Sequence, residues 1–184
     1  MEYLIKTEYN KLRYKWRELS KELLELKPIE QMAMAKFHET LMSRVREFGL
    51  KDPFLENQKK DTEDKKIFEE EETKKIYRQV AVRSHPDKNK NEDDIFKDLV
   101  DSKKNNSLNK LLDNAKKVRL KIDNISIEQI EKIEEEINEL EKSISEIINS
   151  THWRWYHEDN RSRDLIINNL IIIITNEQKE KQIK

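Results

Sequence analysis

Three adjacent residues, His85, Pro86 and Asp87, bring an imidazole and a carboxylate to a backbone corner that cannot continue a helix. Pro86 fixes its own φ, lacks an N–H and pushes His85 out of the α region. A helix arriving from Ile76 is therefore expected to end near Ser84, with Asp87 in the turn just beyond the break. The charge around this corner is one-sided. Lys74, Lys75, Arg78, Arg83, Lys88 and Lys90 are basic, and Asp87 is the only acid between residues 74 and 90. The block Glu69 to Glu72 lies directly upstream. Acid at a helix start and base near its end complement the helix macrodipole, which accounts for much of the charge but not for a His-Pro-Asp turn. A rigid corner of this kind can offer Asp87 to an arginine of a partner as a charge-assisted pair. The cations preceding it can steer an acidic surface.

The run Lys75-Ile76-Tyr77-Arg78-Gln79-Val80-Ala81-Val82-Arg83-Ser84-His85-Pro86-Asp87-Lys88-Asn89 resembles the second helix and loop of a J-domain, the signature of DnaJ-type co-chaperones. The resemblance is specific over these residues and extends more loosely over 62–120. It implies that the basic helix docks on a DnaK-type heat-shock chaperone and that the corner triggers ATP hydrolysis in that partner. His85, Pro86, Asp87, Lys74, Lys75, Arg78, Arg83 and Lys88 would then form the chaperone-binding site. His85 would orient the loop rather than transfer a proton, and the chain itself would not be an enzyme. By the same resemblance a third helix lies antiparallel to the second and buries an aromatic, for which Phe96 is the candidate. The short Tyr-x-x-Leu first helix of the family is not visible. Either residues 32–48 take its place across a long linker, or the region packs on something else.

Composition bounds the scaffold. The chain has 184 residues, 41% of them charged and 35% hydrophobic, with one Gly, three Pro and a net charge of -1. So few breakers predict an all-α fold. A single Gly cannot build a phosphate-cradling loop or a dinucleotide fingerprint, and no G-x-S-x-G or H-E-x-x-H pattern occurs. The absence of Cys excludes disulfides, thiol catalysis and cysteine-held zinc. His152 and His157 are five apart, off the helical spacing of a metal pair, so no metal or other cofactor is expected. The longest apolar run, Leu170 to Ile174, is far shorter than a membrane span, and a soluble, cytoplasmic protein is expected.

Two heptad stretches must carry the corner. Ile5, Tyr9, Leu12, Trp16, Leu19, Leu23 and Leu26 alternate four and three apart. Pro28 is expected to close this helix or open the next. Residues 29–48 then read as a second helix with Met34, Phe37, Leu41, Val45 and Phe48 on one face, His38 partly buried beside them and Gly49 as the stop. Together these predict an antiparallel hairpin. In the other stretch Ile130, Ile133, Ile137, Leu140, Ile144 and Ile147 follow a Ser126–Gln129 capping box, and Glu134, Glu135, Glu136, Glu139 and Glu141 make an acidic outer face. The first stretch is rich in Lys and Arg. The opposite character predicts pairing within one chain, with a homodimer through the heptads as the alternative.

Between them, residues 50–62 read as a linker. Ile95, Phe96, Leu99 and Val100 face the core of a helix capped by Asp93 or Asp94, and Ser107 caps the next. The cluster Trp153, Trp155 and Tyr156 is expected to plug a bundle end, Asp159 to cap a last helix, and 165–175 to be helix or strand. The expected architecture is thus a J-domain-like antiparallel hairpin flanked by long heptad helices forming an antiparallel helical hairpin or coiled coil. Its segments are an N-terminal arm over 1–58, the J-domain-like region over 62–122 and a C-terminal coiled-coil helix with aromatic turn and final helix over 124–184. The helical arms would deliver the corner to a client or assembly. The alternative function is a coiled-coil structural adaptor in which the corner is incidental. Nucleic-acid binding by the basic helix is a weaker third reading, because the patch is short and the rest of the chain acidic.

Overall fold

The structure, a computed structural model, describes residues 2–54, 71–85, 93–122 and 125–183. The described residues form helices and no strand, as the shortage of breakers requires: α1 (Glu2–Glu47), α2 (Glu71–Ser84), α3 (Asp93–Lys104), α4 (Leu108–Lys117), α5 (Ile127–Asn149), α6 (Thr151–His157) and α7 (Asn160–Ile183). No helix among them is long and apolar enough to cross a membrane. The expected start of α2 near residue 62 lies outside the described residues. The chain divides into two compact units, Met1–Ser20 with Thr62–Glu141 and Lys21–Asp61 with Lys142–Lys184. Each is discontinuous: the first draws on all three expected segments, 1–58, 62–122 and 124–184, and the second on the first and last of them.

The expected hairpin at the amino terminus is not formed. Pro28 lies inside α1, a single helix of 46 residues. A mid-helix proline removes one hydrogen bond and crowds the carbonyl four residues earlier, at a cost of roughly 3 kcal/mol. Trp16, before the proline, is anchored in the core of the first unit; Leu41 and Val45, after it, are anchored in the core of the second. Tertiary packing on both flanks thus overrides the local breaker. The true stop is Gly49, at φ +66, where Leu50 N–H returns to Val45 O at 3.0 Å.

In the first unit, Ile76 and Val80 of α2, Leu99 of α3, Leu108, Leu111, Leu112 and Ala115 of α4, Trp16 of α1, and Ile133 and Ile137 of α5 form one core. Tyr9, Leu12, Leu19, Phe96 and Leu140 pack at its edge. The two heptad stretches therefore meet inside one chain, as their charges suggested, and Lys15 Nζ reaches Glu141 at 2.7 Å. The turns follow their capping chemistry. Asn106, at φ 51, ends α3, and Ser107 Oγ accepts from Lys110 N–H to start α4. Ser126 and Gln129 cap α5 reciprocally, at 3.1 and 3.2 Å. Arg119, at φ 54, ends α4 with Leu120 N–H on Ala115 O at 2.9 Å.

In the second unit, Leu41, Met42 and Val45 of α1 pack with Trp155 of α6 and with Ile167, Ile171 and Ile174 of α7. Phe37 meets Trp155 edge to face at 5.6 Å. The inward stripe of α1 keeps Phe37, Leu41 and Val45 as expected and differs at its ends: Ala33 is buried, whereas Met34 and Phe48 are exposed. His38 is exposed as well and packs its ring on Phe54. The isoleucine run is helix, because Ile167, Ile171 and Ile174 recur four and three apart and leave Ile172 and Ile173 outside. Asp159 caps α7 by accepting from Arg161 and Ser162 N–H at 2.8 and 3.0 Å. Those bonds hold its carboxyl below the usual carboxylate range.

Candidate functional site: the outer face of α2 and its end

Helix α2 turns Thr73, Ile76, Val80 and Ser84 inward, at spacings of three and four. Ser84 Oγ bonds back to Val80 O at 3.0 Å, which satisfies the hydroxyl within the core. Lys103 Nζ of α3 lies 5.3 Å from the centre of the half-buried Tyr77 ring, tying α3 to α2. With that face sequestered, Glu71, Lys75, Arg78, Val82 and His85 are exposed, each about one turn after the last. Val82 is 58% exposed, an apolar residue amid cations.

The candidate residues are not equivalent. Among the described residues Lys75 has no ion pair. Arg78 approaches Glu71 at 3.4 Å, but both side chains are largely exposed, so the pair is worth little and releases readily. Lys74 is half-buried and 3.8 Å from the same carboxylate. Arg83 has a structural task that its sequence position did not reveal. It donates to the carbonyls of Val118 and Arg119 at 3.3 and 3.2 Å, placing a cation on the carboxyl end of α4.

His85 follows the last turn of α2. Its exposed ring sits edge-on against Phe96 of α3, with centroids 5.6 Å apart. Phe96 itself packs on the core, so the imidazole position is set from α3 as well as from its own helix. Pro86, Asp87 and Lys88 lie outside the described residues.

The beginning of α1, through Tyr9, Leu12 and Trp16, shares the core with α2, α3 and α4, as does α5 through Ile133 and Ile137. Residues 32–48, one expected candidate for that place, belong to the second unit.

Two part-buried charge clusters join α4 to α5 and to α1 in the same unit and are not legible in the sequence. Glu136, expected on the acidic outer face of α5, instead turns to the start of α4. It accepts from Leu108 N–H at 2.5 Å, Ser107 Oγ at 2.8 Å and Asn109 Nδ2 at 3.1 Å. Burial nevertheless outweighs these bonds and raises its carboxyl above the usual range. Asp113 of α4 receives the guanidinium groups of Arg13 and Arg17, one turn apart on α1. The bond to Asp113 raises Arg17 further. The spacing of Arg13 and Arg17 is visible in sequence, but their acceptor lies about a hundred residues away, and only the fold joins them.

Comparison with protein-family models, with curated proteins and with solved structures found no match. The chemistry of the site therefore rests on its own geometry. That geometry can bind and orient: exposed cations lead along one helix face to an exposed imidazole. Among the described residues no three His, Asp or Glu side chains converge to hold a metal ion.

Proposed function

We propose that this chain is a J-domain-type co-chaperone, which binds a DnaK-type heat-shock chaperone through α2 and stimulates its ATPase. One observation carries the reading. Burial of Thr73, Ile76, Val80 and Ser84 leaves Lys75 and Arg78 facing solvent in the turns that lead to His85, itself seated against Phe96. Lys75 and Arg78, with Lys74 and Lys88, attract the acidic surface of the partner and set its on-rate. Pro86 stiffens the corner, so that little ordering entropy is lost on docking. Asp87 pairs with an arginine of the partner, His85 orients the loop, and Arg83 ties the end of α2 to the carboxyl end of α4. The chain contributes no catalytic group of its own; hydrolysis takes place in the partner. Its place of action is the cytoplasm, where a cysteine-free protein loses nothing to reduction.

Single-turnover ATPase assays against a panel of DnaK-type chaperones test this. Stimulation by the wild type and its loss in His85→Gln and Asp87→Asn, at unchanged helicity, is the expected result. A wild type that stimulates none of them overturns the proposal.

The 46-residue α1 supports a second reading, a structural adaptor, because Leu24, Met32 and Met34 are exposed along it. Sedimentation separates the two: a stable oligomer without any chaperone binding favours the adaptor.

A further inference from the structure

A groove of about 540 Å³ opens in the first unit between the amino-terminal part of α1 and the end of α4. Five cations line it: Arg13 and Arg17 from α1, and Lys116, Arg119 and Lys121 from α4 and the residues after it. No acid is among the lining residues; Asp113, beside them in sequence, is shared by both arginines. Among the described residues Lys116, Arg119 and Lys121 have no carboxylate partner. Arg13 is 7% exposed, and its Nε is buried without a hydrogen-bond partner. With Arg13 and Arg17 already paired to Asp113, the exposed Lys116, Arg119 and Lys121 give the groove a positive excess that attracts an anionic ligand. Between the charges lie Leu112, Leu120 and Ile122, with the rings of Tyr9 and Tyr14 and the amide of Asn10.

We infer that this groove binds a short acidic segment of a partner protein, one in which Asp or Glu alternates with apolar side chains. The charge pattern selects the anion, and the apolar walls select a peptide over a nucleic acid. A nucleic acid would need a continuous basic track for successive phosphates. Here the basic side chains converge on one cleft, and Leu112, Leu120 and Ile122 beside them suit the apolar side chains of a peptide. Lys75, Arg78 and His85 are not among the groove's lining residues. In a co-chaperone it would be a place to hold a client while α2 engages the ATPase.

The test needs no chaperone, so its failure is distinct from failure of the ATPase reading. Fluorescence anisotropy of the full chain is measured with a labelled short peptide alternating Glu or Asp with Leu or Phe. Saturable, salt-sensitive binding is expected. The combined variant Lys116→Glu, Arg119→Glu, Lys121→Glu should weaken it by about tenfold or more, since three attractive contacts become repulsive. The same peptide with Gln and Asn in place of its acids, and a single-stranded oligonucleotide of equal charge, should bind more weakly than the acidic peptide. Circular dichroism checks that the variant keeps its helicity. If it does not, the neutral set Lys116→Gln, Arg119→Gln, Lys121→Gln is read instead. Absence of saturable binding, equal binding by the charge variant, equal binding of the neutral peptide, or tighter binding of the oligonucleotide overturns the inference.

Discussion

Asp113 and Glu136 show how single carboxylates decide the integrity of the first unit. Arg13 is nearly inaccessible, and Asp113 is the acid that meets its charge. Replacing Asp113 with Ala strands that guanidinium and is expected to destabilise the protein by about 3–5 kcal/mol, measured by urea denaturation. Glu136→Ala removes the acceptor for Leu108 N–H and the Ser107 hydroxyl, and should cost about 1–3 kcal/mol. Its titration has a definite sign. The folded carboxyl is raised from the ordinary 4.5, so the folded state holds the proton more tightly than the unfolded chain does. Stability attributable to Glu136 is therefore greatest below that ordinary value and is lost as pH rises through the raised one. Glu136→Gln, which keeps an acceptor but cannot ionise, should show a flatter difference profile when urea midpoints are compared across this range. Neither cluster was legible beforehand. A surface glutamate and a buried one look alike in a heptad of glutamates, and the Asp113 partners are remote in sequence.

At the scale of elements, what could be read and what could not divide along local and tertiary causes. Ser107, the Ser126–Gln129 pair, Asp159 and Gly49 each act where expected, because capping needs only neighbouring residues. Pro28 does not break α1, because packing on either side of it outweighs a local penalty. Pro28→Ala should consequently stabilise the protein, by up to about 3 kcal/mol, since it restores an N–H and relieves a clash. Unfolding midpoints measure this; a destabilised variant would contradict an uninterrupted α1. Within α2 the two roles of the basic residues separate by experiment. Arg83→Ala should cost about 0.5–1.5 kcal/mol of stability through the lost bonds to Val118 and Arg119. Lys75→Ala, at an exposed position with no ion pair among the described residues, should change stability by less than about 0.5 kcal/mol. A thermal-melt comparison of the two variants reads the difference. In sequence Lys75 and Arg83 share only their charge; the carbonyls that Arg83 meets belong to residues 35 and 36 positions away.

For the molecule as a whole, the all-α character followed from the breaker count, and the meeting of the heptad stretches from their opposite charge. The interleaving of distant segments into two units did not, since nothing local marks where α1 and α5 pass from one core to the other. The segment from Lys74 to His85 stood out in sequence because its chemistry is compressed into consecutive residues. The groove of Arg13, Arg17, Lys116, Arg119 and Lys121 was silent because its chemistry is divided between two distant ones. What unites these features functionally is the proposed delivery of the His85 corner to a DnaK-type ATPase. Single-turnover ATP hydrolysis by such a chaperone, with and without this protein, tests that proposal most directly. Stimulation by the wild type, salt-sensitive and abolished by His85→Gln and by Asp87→Asn at unchanged far-ultraviolet circular dichroism, is the predicted result. Hydrolysis unaltered by the wild type across the panel, or stimulated equally by both variants, would contradict it.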